Sequence, residues 1–293
     1  MKILVVGAGG MIGHKMVQSL TPDFSETYGT IRRPFADYQK FSVFAANRIF
    51  DGVDVLNFSN LEKILNDLRP SVILNCVGVT LRKPEIHDLH HCLELNSFLP
   101  HRLKCWAAQN GARVVHFSTD CVFDGADGDY TEYSQPTAKD NYGRTKYLGE
   151  IADSPHCLTL RGSMIGRELF GKTELLEWTL AQRGKAVKGF GRVIYSGTTT
   201  VEMGRLVRSL LGRGTFLSGI FQVSSAPISK YALLEKINKF YRLELNLAED
   251  CNYVSNKVLL STKLKAATGF VCPSWDEMIE KLVADRTIYE LTK

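Results

Sequence analysis

Residues 3–13 read ILVVGAGGMIG, and this stretch carries the clearest structural signal in the chain. Its four apolar residues predict a short buried strand, glycines follow at positions 7, 10 and 13, and a helical pattern runs over 12–20. A strand, a tight glycine turn and a helix in this order are typical of dinucleotide-binding units, because the turn admits a pyrophosphate and the helix N-terminus faces it. The glycines are spaced GxxGxxG rather than GxGxxG. The position of the motif, after a strand and at the start of a helix, favours a dinucleotide site over a plain glycine turn.

Short apolar runs alternate with helical patterns along the first half of the chain. Strands are predicted at 3–6, 28–31, 72–77, 113–118 and 157–161, and helical stretches at 12–20, 59–68, 88–109 and 138–152. Strands separated by helices of this length indicate βαβ units, and continuous Val, Ile and Leu runs indicate strands covered on both faces. We therefore predict an α/β fold of the Rossmann type, with a doubly wound parallel sheet.

The end of the second predicted strand indicates which dinucleotide binds. An acidic residue at this position binds the adenosine 2′-hydroxyl, whereas an arginine accommodates a 2′-phosphate. The strand ends in Thr30, Ile31, Arg32 and Arg33 without an acid. This favours NADP(H), and the alternative is that both arginines are ordinary surface residues. Asp54, which we place at the end of the next short strand, reaches the adenine amino group or caps a helix.

The pattern changes after residue 165. One helix face carries apolar residues within 201–210, the segment 219–224 reads as a further strand, and Ser274 with Glu277 forms a capping-box signature. We assign 1–165 to an NADP-binding Rossmann domain, onto which 193–215 packs back. Segments 166–192 and 216–293 are assigned to a smaller, mainly helical substrate-binding region.

Composition excludes several classes of protein. The 293 residues carry 36 Lys and Arg against 31 Asp and Glu, and these charges are scattered, so no nucleic-acid partner is expected. No apolar run approaches the ~18 residues of a spanning helix, so no membrane partner is expected. Seven cysteines without a CxxC pair indicate reduced thiols in a cytoplasmic protein. We interpret the cluster of His87, His90 and His91 as a solvated helix face, and no metal site is predicted.

A catalytic group of side chains is predicted around residue 142. Tyr142 and Lys146 are spaced i and i+4, which places them on one helix face. A free phenol has a pKa near ~10, and an adjacent ammonium lowers it. The strand that precedes this helix closes in Ser118, Thr119 and Asp120, whose hydroxyls would point into the ligand crevice. Thr119 is therefore predicted to donate to a substrate carbonyl while Tyr142 supplies a proton.

At these residues the sequence resembles the extended short-chain dehydrogenase/reductase superfamily, and within it the dTDP-4-dehydrorhamnose reductase-like family. The similarity covers about residues 1–210, and the remainder matches only in general pattern. The matching motifs are GAGGMIG at 7–13, LNCVG at 74–78, Asn96 with Pro100, STDCVFDG at 118–125, YGRTK at 142–146 with Gly149 and Glu150, LRGS at 160–163, and SGTT at 196–199.

The resemblance implies a role for each matching position. Thr119, Tyr142 and Lys146 take the catalytic roles, the glycine loop holds the pyrophosphate, and Val77 and Gly78 flank the cofactor. The predicted cofactor-binding residues are Gly7, Gly10, Met11, Ile12, Arg32, Arg33, Asp54, Val55, Cys76, Val77, Gly78, Ser118, Tyr142, Lys146 and Ser163. The predicted substrate-binding residues are Lys83, Thr119, Asp120, Cys121, Met164, Lys188, Phe190 and Arg192.

Several of these substrate assignments have alternatives. Lys188 and Arg192 are candidates to hold a nucleotide diphosphate and Phe190 to stack on the base, although all three also read as solvated loop residues. Cys121 stands where the family often has Tyr, and Gly162 follows Arg161 where Thr is usual. The related sugar 4,6-dehydratases carry Thr-Asp-Glu, and because Cys121 occupies the Glu position, a reductase is favoured over a dehydratase.

The resemblance therefore implies NADPH-dependent reduction of the C4 keto group of a 6-deoxy-4-keto nucleotide sugar. Within the family the chain is similar to bacterial reductases of O-antigen and capsule synthesis that act on UDP-linked 2-acetamido-6-deoxy-4-keto sugars. NADPH is the expected cofactor, with NADH as the alternative, and a homodimer is left open. Two other functions stay open: an epimerase with tightly bound NAD, and a non-catalytic NADP-binding regulatory subunit such as the similar methionine adenosyltransferase beta subunit.

Overall fold

A seven-stranded parallel sheet forms the centre of the protein in the computed structural model, which describes residues 1–285 and 289. Its strands in chain order are β1 (Ile3–Val6), β2 (Thr27–Thr30), β3 (Ile49–Phe50), β4 (Val72–Asn75), β5 (Arg113–Ser118), β6 (Cys157–Arg161) and, much later, Gly219–Gln222. Their order across the sheet runs β3, β2, β1, β4, β5, β6 and then Gly219–Gln222. The order in which the chain adds strands to the sheet reverses between β1 and β4. The ligand crevice is therefore expected at the carboxyl ends of these two strands.

Helices cover both faces of this sheet. They are α1 (Met11–Leu20), α2 (Phe58–Leu68), α3 (Leu89–Leu93), α4 (Leu99–Asn110), α5 (Asn141–Leu148), α6 (Leu175–Leu180), α7 (Thr200–Leu211), α8 (Lys230–Tyr241), α9 (Thr262–Thr268) and α10 (Trp275–Ala284). A π-helical turn at Glu94–Phe98 joins α3 to α4.

Alternate residues of each strand enter opposite cores. Ile3 and Val5 of β1 pack with α1 and α7, whereas Leu4 and Val6 pack with α2 and α4. All four are fully buried, as expected for a parallel sheet that is covered on both sides. The predicted Rossmann-type α/β fold is confirmed.

The helix around Tyr142 and the strand near Asp54 differ from their predicted positions. Helix α5 begins at Asn141 rather than at 138, because Asp140 caps it by accepting a 2.8 Å hydrogen bond from Gly143 N. It ends before Gly149, whose backbone packs against Asn96. The third strand lies at Ile49–Phe50, and the stretch around Asp54 is a turn instead of the predicted strand.

The remaining strands form small sheets beside the main one. They are β7 (Met164–Ile165), β8 (Ala186–Phe190), β9 (Val193–Tyr195), β10 (Thr198–Thr199), β12 (Ile228–Ser229), β13 (Asn246–Asp250) and β14 (Ser255–Lys257). The strand Gly219–Gln222 of the central sheet is β11 in this numbering. Strand β8 pairs with β13, and β9 pairs with β12 and β14. Helices α6, α8 and α10 surround a separate apolar core with these strands, and α10 starts with the predicted capping box of Ser274 and Glu277.

The structure divides the chain differently from the predicted boundaries in two places. Strand β11 pairs with β6 in the central sheet, although the boundary at 216 assigns it to the substrate-binding region. In the segment 193–215, α7 packs on α1, with Gly204 against Ser19, whereas β9 belongs to a small sheet outside the Rossmann core. Residues 286–288 and 290–293 of the predicted region lie outside the described residues.

Within the described part of the chain, no helix combines the length and the apolar character that crossing a membrane requires.

Candidate active site

Two neighbouring cavities open along the carboxyl edge of the central sheet. The larger has a volume of about 370 Å³ and is lined by segments that follow β4, β5 and β6. The smaller, of about 220 Å³, lies beyond Gly7 toward the end of β2. Val77, Gly78 and Val79 line both cavities, so together they form one groove across the switch point of the sheet.

Close packing of α5 on the end of β5 brings Tyr142 to Thr119. A Cβ atom on Gly143 would lie 2.1 Å from the Cys121 carbonyl oxygen, so only glycine allows this approach. Tyr142 and Thr119 both line the larger cavity, and the Thr119 hydroxyl partly opposes the effect of burial on the pKa of Tyr142. Burial raises the pKa of Tyr142 above its ordinary value, which keeps the phenol protonated and able to donate.

Lys146 lies one turn further along α5, beneath Tyr142. Its Nζ donates a 2.5 Å hydrogen bond to the Phe117 carbonyl and lies 3.5 Å from His116 Nε2. Burial lowers the pKa of Lys146 to about 8, an effect that the Glu150 carboxylate opposes. Because its side chain is almost fully buried, its ammonium acts at short range on whatever occupies the cavity.

The buried Asn96 amide connects the loop after β4 to helix α5. Asn96 Oδ1 accepts from Val79 N at 2.9 Å, while Asn96 Nδ2 donates to Val79 O and to Thr145 Oγ1, both at 3.1 Å. Asn96 lies in the π-helical turn and is fully buried. It therefore holds one wall of the cavity in register with Tyr142, a role that its place in the sequence motif did not reveal.

A buried ion pair between Arg161 and Glu150 holds Ser118, which lines the larger cavity. Arg161 Nε and Nη2 donate to the two oxygens of Glu150 at 2.8 and 2.6 Å. Ser118 Oγ also donates to Glu150, at 2.6 Å. Ser118 lines the cavity, as predicted for a cofactor contact, but its hydroxyl proton is directed to this ion pair, so it supports the site through Glu150.

The glycine loop fits a bound dinucleotide. Gly7 adopts φ +83°, and a Cβ there would lie 2.7 Å from Val77 Cγ2. Gly10 is the N-cap residue of α1 and supplies no side chain to its first amides, which leaves that helix end open to an anion. Met11 and Ile12 line the larger cavity, and Gly7 lines the smaller.

The two arginines after β2 have different surroundings. Arg32 lines the smaller cavity together with Asp54 and Val55. Arg33 instead stacks over the Phe170 ring, with 4.8 Å between its Cζ atom and the ring centroid, and lies 4.0 Å from Asp37. Arg33 is not among the residues that line either cavity. The structure thus brings one of the two predicted arginines to the groove.

The predicted substrate contacts lie in different places relative to the larger cavity. Lys188, Phe190 and Arg192 lie outside the larger cavity, because the alternation of β8 exposes Lys188 and Phe190 and the Phe190 ring packs on Tyr253. Lys83 lies in the smaller cavity, where its Nζ donates to Thr173 Oγ1 at 3.1 Å. The predicted residues Cys76, Val77, Gly78, Asp120, Cys121, Ser163 and Met164 do line the larger cavity.

Sequence reasoning missed the residues that form the far wall of the larger cavity. These are Arg82, Glu174, Tyr195, Lys230, Tyr253 and Lys257. They come from five separate segments, and no local spacing connects them. Among the described residues, no group of three or more His, Cys, Asp or Glu side chains is arranged to hold a metal.

Comparisons with known proteins agree with this architecture. The family model of the RmlD substrate binding domain matches residues 1–288. A dTDP-4-dehydrorhamnose reductase of Aggregatibacter actinomycetemcomitans is 24% identical over 310 aligned positions, which cover 97% of this chain and 98% of that protein. The crystal structure of a dTDP-4-dehydrorhamnose reductase from Bacillus anthracis in complex with NADP has a TM-score of 0.79 and 20% identity, and the match covers 97% of this chain and 100% of that one. This likeness shows the fold.

A second group of similar proteins consists of methionine adenosyltransferase 2 beta subunits. The methionine adenosyltransferase 2 subunit beta of Mus musculus is 29% identical over 181 residues, which are 60% of this chain and 49% of the mouse protein. The match therefore spans about half the length of those relatives.

Proposed function

The chain belongs to the RmlD substrate binding domain family, and on this basis we propose that it catalyses NADPH-dependent reduction of a keto group in a nucleotide sugar. The observation that supports this most is the convergence of Tyr142, Thr119 and Lys146 on one cavity that continues into the glycine-loop groove. The finer proposal is that the reacting group is the C4 ketone of a 6-deoxy-4-keto nucleotide sugar.

Each catalytic side chain has a distinct task in this proposal. The cofactor, when bound along the groove, supplies a hydride to the carbonyl carbon. Tyr142 is protonated because its pKa is raised, and it donates that proton to the oxygen on which negative charge develops. Thr119 turns its hydroxyl toward the same oxygen. The buried Lys146 ammonium stabilises the phenolate that remains.

Arg32 supports the choice of NADPH as cofactor. Its side chain lines the cavity at the adenosine end of the groove, and no acid stands at the end of β2. A guanidinium there binds the 2′-phosphate of NADPH. NADH would forgo this contact, so it is the weaker alternative.

The proposed substrate class rests on the charges of the far wall. Lys257 and Arg82 line the larger cavity and would face the diphosphate of a nucleotide sugar, in place of the predicted Lys188 and Arg192. At Cys121 burial raises the pKa of the thiol to about 12, so no acid is present there for elimination of water. We place the reaction in the cytoplasm, as part of bacterial surface polysaccharide synthesis, and all seven cysteines are free thiols.

The direct test is NADPH oxidation by the purified protein with a panel of 4-keto-6-deoxy nucleotide sugars. Tyr142→Phe is expected to reduce turnover by on the order of 10³-fold while NADPH binding is retained, because only proton donation is lost. Tyr147→Phe is the matched control, since this tyrosine lies on the same helix and is 44% exposed. Normal turnover by Tyr142→Phe would exclude the proposed mechanism.

The half-chain similarity to the methionine adenosyltransferase subunit favours one other function. A regulatory subunit of that kind would bind NADPH and oxidise none of it with any sugar in the panel.

An epimerase is the other alternative. It would retain bound NAD and convert its sugar without net NADPH oxidation. The homodimer stays a prediction, which light scattering of the purified protein tests.

A further inference from the structure

Three polar side chains line the larger cavity next to the catalytic hydroxyls. Tyr195 comes from β9, Lys230 is the first residue of α8, and Asp120 follows β5. All three line the cavity that also contains Thr119 and Tyr142. We call them the polar wall.

The Tyr195 hydroxyl is buried without a partner. It forms no hydrogen bond with any described residue, and the side chain is 2% exposed. The ring has space only because position 197 is glycine, where a Cβ would lie 2.3 Å from the ring. An unpaired buried hydroxyl is unfavourable, so a bound group that pairs with it stabilises the complex.

Lys230 presents a second donor at the same place. Its Nζ lies over the Tyr195 ring, 3.2 Å from the centroid. Burial lowers the pKa of Lys230 to about 8, and the nearby Asp120 carboxylate opposes this effect through charge alone. Asp120 also contributes to the raised pKa of Tyr195, after burial. The carboxylate, the phenol and the ammonium therefore act on one another within one small volume.

Asp120 connects the polar wall to the reacting carbonyl. The Thr119 hydroxyl donates to Asp120 Oδ1 at 3.1 Å. When Thr119 turns toward a substrate carbonyl oxygen, Asp120 loses this donor. A hydroxyl on the neighbouring substrate carbon can replace it, because that hydroxyl lies beside the carbonyl oxygen and carries a proton to donate.

We propose that Tyr195, Lys230 and Asp120 form a subsite for a hydroxyl group on the carbon adjacent to the reacting carbonyl, so that the enzyme selects α-hydroxyketones. The hydroxyl donates to Asp120 and accepts from Lys230 and Tyr195, which pairs all three groups at once. This inference rests on the proposed reduction, in which the hydroxyl is the one on C3. A ketone without it leaves the buried Asp120 carboxylate and the buried Tyr195 hydroxyl unpaired.

The test compares two 4-keto nucleotide sugars that differ only in the C3 hydroxyl. A site built to bind a substrate hydroxyl rejects the analogue lacking it by on the order of 10⁴-fold in kcat/KM. We expect wild-type protein to discriminate against the 3-deoxy ketone by a factor of this order. Equal kcat/KM for the two ketones would overturn the subsite.

Variants assign the discrimination to the polar wall. Tyr195→Phe retains the ring and removes only the hydroxyl, and Lys230→Met retains much of the side-chain volume and removes the charge. Each is expected to narrow the ratio between the two substrates at least tenfold, mainly by slowing the hydroxylated one. Lys257→Met is the matched control: it removes a charge from the same cavity, is expected to weaken both substrates equally, and leaves their ratio unchanged. A ratio changed as much by Lys257→Met as by Lys230→Met would contradict the assignment.

A binding measurement separates the subsite from the proposed reaction. Calorimetry with the NADP⁺-loaded protein compares the 4-hydroxy product with its 3-deoxy analogue, and this comparison needs no turnover. Tighter binding of the 3-hydroxylated compound in wild type but not in Lys230→Met supports the subsite even where no ketone is reduced, an outcome that overturns only the reductase proposal. Equal binding of the two compounds overturns the subsite.

Discussion

The cofactor groove and the far wall of the larger cavity are constructed in different ways. The groove is built from backbone that approaches closely at Gly7 and Gly143 and from a buried ion pair under β5 and β6. The far wall consists of side chains such as Tyr195, Lys230 and Lys257, which come from separate segments of the later part of the chain. Changes to the groove should therefore reduce stability as well as activity, whereas changes to the far wall should alter substrate selection with little effect on stability.

The largest expected difference between the two regions comes from Arg161→Met. The variant leaves the Glu150 carboxylate buried without its bidentate partner. Breaking a buried ion pair from one side lowers the free energy of unfolding by about 3–5 kcal/mol. Lys257→Met on the far wall should change it by less than about 0.5 kcal/mol. Urea denaturation of the two variants measures both values. Equal losses in the free energy of unfolding would contradict the proposed difference in stability between the groove and the far wall.

A smaller loss of stability is expected from Gly13→Ala in the glycine loop, with Gly10→Ala as its control. In Gly13→Ala the new Cβ would lie 2.1 Å from the Gly7 carbonyl oxygen and would push α1 away from β1. Overpacking of this kind lowers the free energy of unfolding by about 1–3 kcal/mol. In Gly10→Ala the Cβ meets only the Gly7 carbonyl oxygen at 3.5 Å, so thermal unfolding should stay close to that of wild type. A Gly10 variant as unstable as the Gly13 variant would show that these contacts do not govern the loop.

The two arginines after β2 test how specific the adenosine end of the groove is. Arg32→Ala should weaken NADPH binding by about 10–100-fold, as expected for loss of a charged hydrogen bond of about 1.5–3 kcal/mol, and should leave NADH binding unchanged. Arg33→Ala is the matched control, because Arg33 stacks on Phe170 outside both cavities. Fluorescence titration with each cofactor measures the affinities. A larger loss of NADPH affinity in Arg33→Ala than in Arg32→Ala would show that Arg33 contacts the 2′-phosphate instead.

The smallest expected effect is on the pH dependence of reduction. The pKa of Lys146 is about 8, so its ammonium is present below this pH and is lost above it. Because the charged form stabilises the Tyr142 phenolate, kcat should be constant below about pH 8 and should fall by up to tenfold for each pH unit above it. This decline should be absent from Lys146→Met, whose remaining rate should be low throughout, and present in Lys230→Met, because Lys230 in the same cavity also has a pKa of about 8. A wild-type profile that rises above pH 8 would require the neutral amine instead.

Helix α5 shows how far local sequence reasoning reaches. The Tyr142 and Lys146 spacing predicts a shared face, and the structure has both on α5 beside Thr119. The start of that helix was predicted too early, because the capping hydrogen bond of Asp140 fixes it and such a bond depends on geometry. The surroundings of Lys188 and Phe190 were not predictable for a similar reason, because which face of β8 is exposed depends on its pairing with β13.

The amino-acid sequence by itself determined the parallel α/β core, the glycine turn and the shared helix face of Tyr142 and Lys146. Each of these depends on residues close together in the chain, where period, turn chemistry and helix spacing act directly. Only the tertiary structure decided that Tyr195, Lys230 and Lys257 face Thr119 across one cavity. Contacts between such distant segments arise from the packing of the later helices and small sheets around their own core, and no local pattern encodes that packing.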